Sequence, residues 1–443
     1  MKKFFYPLLL LMAMTFAFTS CEGDDLVVPN LSINTPVLNQ DGFAEVAQGD
    51  TLALQATVTN TEHCLYHWSL DGKKVFEGPT YKFVSTEPGN HVISLKATSV
   101  YGGTATVEIK VLVYGKYKNG TFVLNEGNPS SGNGCLTFIS PKGEVTDSAY
   151  YRVNGSFLGS ASEDLYIAND KIYIISQNGN AAGGDGMLVV ANAATLKKEA
   201  AYNKELSDLS WPTHIAVIGN LAYIRDNAGV HTFNTVSGEC EFVEGTKGAA
   251  KNRMAVIGNK VFAFAGDKML VMENGQLVNT VEVGPQISGL LKSDDNNLWV
   301  SCNVKKGKLM KVNAADYTIM QTNEITEGGL NAGWGATPAI SAKGDTIYFS
   351  NNSTIIYRHI FSQNQTQAMT DVKEHIADAN MIYNNLAVHP ETGDVYFTTI
   401  KGFGLDYLIN DVSVFNFDKG SAPVADYKNV TAFPAGVFFT ASF

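Results

Sequence analysis

Charge is scarce in this chain. Only 17% of its 443 residues are Asp, Glu, Lys or Arg, and 43 acids face 32 bases, for a net charge of −11. That balance argues against nucleic acid and anionic lipid headgroups as partners, because both demand clustered Lys/Arg. Cysteine is equally thin. Beyond Cys21 there are Cys64, Cys135, Cys240 and Cys302, far apart and without a C-x-x-C pair. That spacing supports neither a disulfide framework nor a redox or metal motif. These four are read as buried thiols serving as small hydrophobes. The eight histidines form no H-x-H or H-E-x-x-H, so zinc has no support. There is no G-x-S-x-G elbow and no P-loop. Asp294-Asp295 reads as a solvated turn, and Gly183-Gly184-Asp185-Gly186 is too short for a calcium loop. The expectation is a binding protein, not an enzyme, with no cofactor.

A long apolar run is also missing after the first residues, and a membrane-spanning helix needs about 20 such residues. The start of the chain does have a shorter one. Met1-Lys2-Lys3 is a positive n-region, Phe4 to Phe18 is apolar, and Thr19-Ser20 precede Cys21. This is the pattern of a secretory signal, and its end resembles a lipobox. Residues 1–20 are then a cleaved signal, Cys21 is lipidated, and residues 21–30 form a tether. The run Glu22-Gly23-Asp24-Asp25 resembles the export signal that places lipoproteins on the outer face of the outer membrane. The only membrane contact expected is through the lipid.

Glycine (41 residues) and apolar residues (45%) are plentiful, as in a β-rich globule. Residues 31–114 read as a small β-sandwich. Alternation runs through Thr51 to Val58 and again through His91 to Ala97, the strand signal. Between them, Trp68 sits on a strand that ends in an Asp71-Gly72 turn. Trp68 is read as core. The arrangement resembles the PKD and immunoglobulin-like spacers of bacterial surface proteins, which implies a stalk.

Residues 115–443 repeat. A short apolar strand starts at Thr121, Ile172, Leu221, Val261, Leu298, Ile347 and Val395. The intervals match the roughly 40–50 residues of a four-stranded propeller blade. Each copy but the first follows a strand and a tight turn, such as Asn169-Asp170 or Gly258-Asn259. The chain end supplies what the first copy lacks. Residues 436–440 are therefore expected to pair with 121–124 and close the ring, which removes exposed edges. The fold class is all-β: a seven-bladed β-propeller preceded by a PKD/Ig-like β-sandwich.

In such a blade, the connections into the innermost strand share one face with the loops between second and third strands. The connections run over 157–163, 209–214, 249–254, 285–289, 331–338, 380–385 and 432–436. They hold Trp211, His214, Arg253, Gln286, Asn331, Trp334, Tyr383, Asn384 and Phe433. The longer loops, 125–134, 177–186 and 401–411, add Asn125, Glu126 and Tyr407. Aromatic walls with a few aimed polar groups suit an amphipathic ligand, and loops on a rigid scaffold are where binding usually resides.

Gly120-Thr121-Phe122-Val123-Leu124-Asn125-Glu126-Gly127-Asn128, followed by Gly132-Asn133-Gly134-Cys135-Leu136, resembles the opening blade of the YncE-like surface propellers of Bacteroidetes. Their BtuG-type members capture corrinoids beside a TonB-dependent transporter. The resemblance implies a surface lipoprotein that captures a small-molecule nutrient, a corrinoid first of all, and passes it to a TonB-dependent outer-membrane transporter. The sandwich before the propeller departs from the simplest BtuG-type layout. The competing expectation is an adhesive surface protein that binds protein or glycan.

Overall fold

The computed structural model describes residues 26–34, 36–127, 132–333, 337–402 and 404–440, without the side chains of Leu405 and Tyr407. The signal segment, the proposed lipidation site Cys21 and Trp334 lie outside the described residues. The chain divides into two compact units after Tyr114.

The first unit is a sandwich of two sheets. One has the order Leu31–Asn34, Thr51–Val58, Thr80–Val84; the other Phe43–Ala47, Thr104–Tyr114, Gly89–Ser99, Cys64–Leu70, Lys73–Glu77. Strand side chains alternate between faces, so Leu52, Leu54 and Ala56 go inward from one sheet. Ile93, Leu95, Val111 and Val113 meet them from the other. Trp68 is fully buried at the centre, and its indole N–H donates to the Gly78 carbonyl at 2.9 Å. The expected turn forms with Asp71 at φ 49° and Gly72 at φ 79°, the double left-handed pair of a tight hairpin. The Asp71 carboxylate then accepts from the Val92 amide at 2.8 Å.

The second unit is a ring of seven sheets. Blades two to five run Ser162–Tyr202, His214–Phe242, Ala255–Glu282 and Ile287–Glu324, four antiparallel strands each. Blade six is Ser341–Asp371. Blade seven is Met381–Thr431, its first strand split into Met381–Ile382 and Ala387–Val388. Blade one takes its first strand from the chain end. Pro434–Phe439 pairs antiparallel with Thr121–Asn125, matching Gly436 to Leu124 and Phe438 to Phe122. Ring closure is thus as expected, beginning at Pro434.

Burial falls off along each blade. The second strands are almost wholly buried, whereas fourth strands such as Gln276–Glu282 and Ile319–Glu324 are largely exposed. Apolar side chains from adjacent blades interlock in seven clusters, one at each joint. The joint between blades seven and one has only Val123, Ile139, Val412 and Val437 fully buried among the described residues. Hydrogen bonds make up the difference there. Asn125 Oδ1 accepts from the Thr431 hydroxyl and from the Ala432 amide, and Thr137 donates to the Val430 carbonyl at 2.8 Å.

The four described cysteines are free. Cys302 is fully buried, as expected. Cys64, Cys135 and Cys240 are only half-buried, because each sits at the start of its strand, where the sheet meets a loop.

Candidate functional site

The connections into the first strands share a backbone device. Ala161, Gln286 and Phe433 each stand one residue before a first strand with φ of 56°, 53° and 49°, and Trp211 has φ 54° three residues before another. Left-handed backbone costs an ordinary residue about 1–2 kcal/mol, and such strain gathers where a loop must aim a side chain. The turn is stapled in three copies by the same bond. The carbonyls of Ala161, Gln286 and Phe433 accept from the amides of Gln177, Asn303 and Glu126 at 2.8, 2.8 and 2.9 Å. Each donor is a polar residue just past a second strand. Glu126, Gln177 and Asn303 therefore occupy equivalent places around the ring.

Charge collects where these loops converge. Glu163 Oε2 lies 2.9 Å from Lys251 Nζ, and Gln177 donates to Glu163 Oε1. The Tyr383 hydroxyl donates to Glu126 Oε2 at 3.3 Å. Burial pushes the Glu126 carboxyl up to about 8, with the Glu163 charge adding to the effect against Lys251 and Tyr383. Glu126 consequently keeps its proton at neutral pH; burial raises the Glu163 carboxyl as well, opposed by Lys251 and the Gln177 hydrogen bond. Asp164 is raised by burial to about 6, opposed by Arg253 at 3.1 Å and the Ile215 amide at 3.2 Å. Burial also lowers Arg253, but a guanidinium stays protonated, so the pair is ionic.

Arg253 also closes the middle of the ring. Its guanidinium lies 4.1 Å over the Phe438 ring, and a Cβ on Gly436 would come within 2.1 Å of Nη2. Glycine at 436 is what admits the side chain. A second brace runs from Asn252, which donates to the Thr337 carbonyl at 3.1 Å. Thr337 Oγ1 in turn accepts from the Asn385 amide at 2.8 Å, and Asn384 donates to the carbonyls of Pro434 and Ala435. Connections into blades four, six and seven and the closing strand are thereby tied together.

The sequence-selected residues separate into groups. Trp211 is 58% exposed, and Gln286 and Asn331 are exposed on other connections of the same type. Glu126, Arg253, Tyr383 and Phe433 are half-buried. His214, Asn384 and Asn125 are buried and bonded to protein: His214 to the Thr213 hydroxyl at 2.8 Å, Asn384 to the closing strand, Asn125 to the seam. These three hold loops in place. Trp334 and the Tyr407 side chain lie outside the described residues.

Composition alone passed over several participants. Phe157 is 42% exposed and stacks on Tyr151 at 4.4 Å, while Leu408 and Ile409 stand 48% and 56% exposed in the 401–411 loop. Glu163 and Lys251 were missed as a pair. The legible signal was the run Lys251-Asn252-Arg253 in one connection and Glu163-Asp164 at the opening of a first strand. These loops thus carry exposed aromatic and aliphatic side chains as well as a half-buried, partly protonated charge cluster. Among the described residues no group of His, Cys, Asp or Glu could hold a metal.

Comparison with known proteins gives the family. A family model described as a domain of unknown function, DUF5074, matches residues 119–440, and a PKD domain model matches residues 41–111. No curated protein matches the chain. Among solved structures, a quinonprotein alcohol dehydrogenase-like protein from Bacteroides thetaiotaomicron is similar with a TM-score of 0.57 at 15% identity, over 92% of this chain and 99% of that one. The computationally designed Ika8 protein gives 0.45 at 11% identity over 72% and 91%. The Neurospora crassa Pan2 WD40 domain gives 0.41 at 13% over 62% and 80%. At 15% identity the likeness to the Bacteroides protein is one of fold.

Proposed function

This chain belongs to the DUF5074 family and carries a PKD domain, and from that premise we propose that it is a non-catalytic binding protein that holds its ligand against the connection face of the propeller. The observation that carries this reading is that the same set of loops carries the exposed rings of Trp211 and Phe157 and the Glu126–Glu163–Lys251 cluster. Exposed aromatics with a few fixed polar groups are what an amphipathic ligand needs. In its finer form, the protein is a lipid-anchored outer-membrane protein that captures a nutrient and passes it to a TonB-dependent transporter, with the PKD unit as spacer. A corrinoid is the first ligand to try, on the strength of the YncE-like and BtuG-type resemblance in residues 120–136. Its peripheral amides suit the half-buried polar cluster, and its ring suits the exposed aromatics.

A second reading has its own support. The centre of the face is braced by Arg253 and by the Asn252–Thr337 bond, so the described surface favours a broad contact over a deep hole. That suits adhesion to a protein or glycan. Calorimetric titration of residues 30–443 with cyanocobalamin separates the two. One-to-one binding that weakens in Trp211→Ala supports capture of a corrinoid. Absence of heat and of any thermal shift discards the corrinoid and puts adhesion first.

A further inference from the structure

The opposite face of the propeller carries the turns between first and second, and between third and fourth, strands. A cleft of 180 Å³ opens there between blades six and seven. This is below the roughly 300 Å³ at which drug-sized sites begin, so its occupant is small.

Two cations line the cleft, Lys343 from the first strand of blade six and Arg358 from the third. Neither is within ion-pair distance, 4.0 Å, of a carboxylate among the described residues. Among the described residues Lys343 Nζ donates to the Glu391 carbonyl. Arg358 is hydrogen-bonded to the Tyr348 side chain, and its Nε is buried without a partner. A buried donor left unmet is costly, and half-buried cations attract an anion strongly once water is displaced. The nearest acids do not supply it. Asp394 is occupied by Asn416 Nδ2 at 2.6 Å and the Thr392 hydroxyl at 2.8 Å, and Asp418 is exposed at the rim. One wall is apolar: Phe417 stacks on Tyr348 at 5.7 Å. Thr346 and the Gly393 turn complete a lining with hydroxyl and backbone groups.

We propose that the cleft between blades six and seven binds a small hydroxylated carboxylate, its carboxylate on Arg358 and Lys343 and its carbon face against Phe417. The site is separate from the connection face and does not depend on the reading given for it.

The test is titration of the full mature chain with D-glucuronate and D-glucose, followed by calorimetry and ligand-observed NMR. Saturable binding of glucuronate at millimolar concentration, with glucose inert, is expected. Arg358→Gln and Lys343→Gln should each weaken it tenfold or more, Trp211→Ala should leave it unchanged, and inorganic sulfate should compete. If Arg358→Gln does not fold, Lys343→Gln, at the cleft's edge, carries the same test. Equal binding of glucose, binding that survives both substitutions, indifference to sulfate, or no saturable binding of glucuronate would each overturn the proposal.

Discussion

The two units solve the problem of burying a sheet in opposite ways. The sandwich has one core, gathered about Trp68 and closed by two facing sheets. The propeller has no single core. It distributes its apolar side chains over seven joints, and each joint exists only if both neighbouring blades are present. A sandwich therefore concentrates its stability in a few residues, whereas a ring spreads it and depends on its seam. The seam is also the least apolar joint, with four fully buried residues against sixteen at the joint of blades one and two. Side-chain hydrogen bonds at Asn125 and Thr137 hold it instead.

The sharpest way to break this comparison is at the seam. Deletion of residues 434–443 removes the first strand of blade one and exposes the edge of Thr121–Asn125. Scanning calorimetry should show loss of the propeller transition with the sandwich transition retained; a surviving propeller transition would mean that the ring does not depend on closure. In the sandwich, Trp68→Ala should cost about 3–5 kcal/mol and lower only the sandwich transition in the same experiment.

Within the propeller, Glu126 links stability to pH. Its folded value is near 8 against an ordinary 4.5. The unfolded chain gives up this proton first, so the contribution is complete below about pH 4.5 and is lost as pH rises to about 8. Glu126→Gln should flatten that fall and stabilise the propeller by on the order of 1–3 kcal/mol at pH 9 relative to pH 5. Urea titrations at the two pH values would show it, and parallel curves for variant and parent would refute the buried proton. Asn125→Ala leaves the Ala432 amide without its acceptor and should cost about 1–2 kcal/mol, read as a shift in urea midpoint. Trp211→Ala should move stability by less than about 0.5 kcal/mol, as for exposed side chains generally, yet weaken any ligand of the connection face. A large stability loss there would reassign Trp211 from contact to packing.

Much of this was readable along the chain. Period-two alternation marked Thr51–Val58, and its structure shows the same alternation of buried and exposed positions. The recurring apolar tetrapeptides marked every second strand, because a strand buried on both faces is apolar throughout. Closure by the chain end followed from one strand missing at Thr121. The site was legible only in outline. The connections chosen by topology do meet through hydrogen bonds, but Asn125, His214 and Asn384 are buried bonding partners of backbone and hydroxyl groups. A polar residue in a connection has the same sequence appearance whether it faces solvent or ties two loops together. Phe157 and Ile409 were passed over for the converse reason, since their exposure is set by neighbours and not by their own type.

The sequence by itself determined the all-β class, the seven-fold repeat, the strand that closes the ring and the net negative charge. Each of these depends on local periodicity, turn chemistry or composition, which a linear reading contains. Tertiary structure alone decided that Arg253 bridges Asp164 and Phe438 across the ring, that Glu126 holds a proton beside Glu163, and that Lys343 and Arg358 face one cleft. Those outcomes arise from groups far apart in the chain, whose burial and charge are fixed only once the ring has closed.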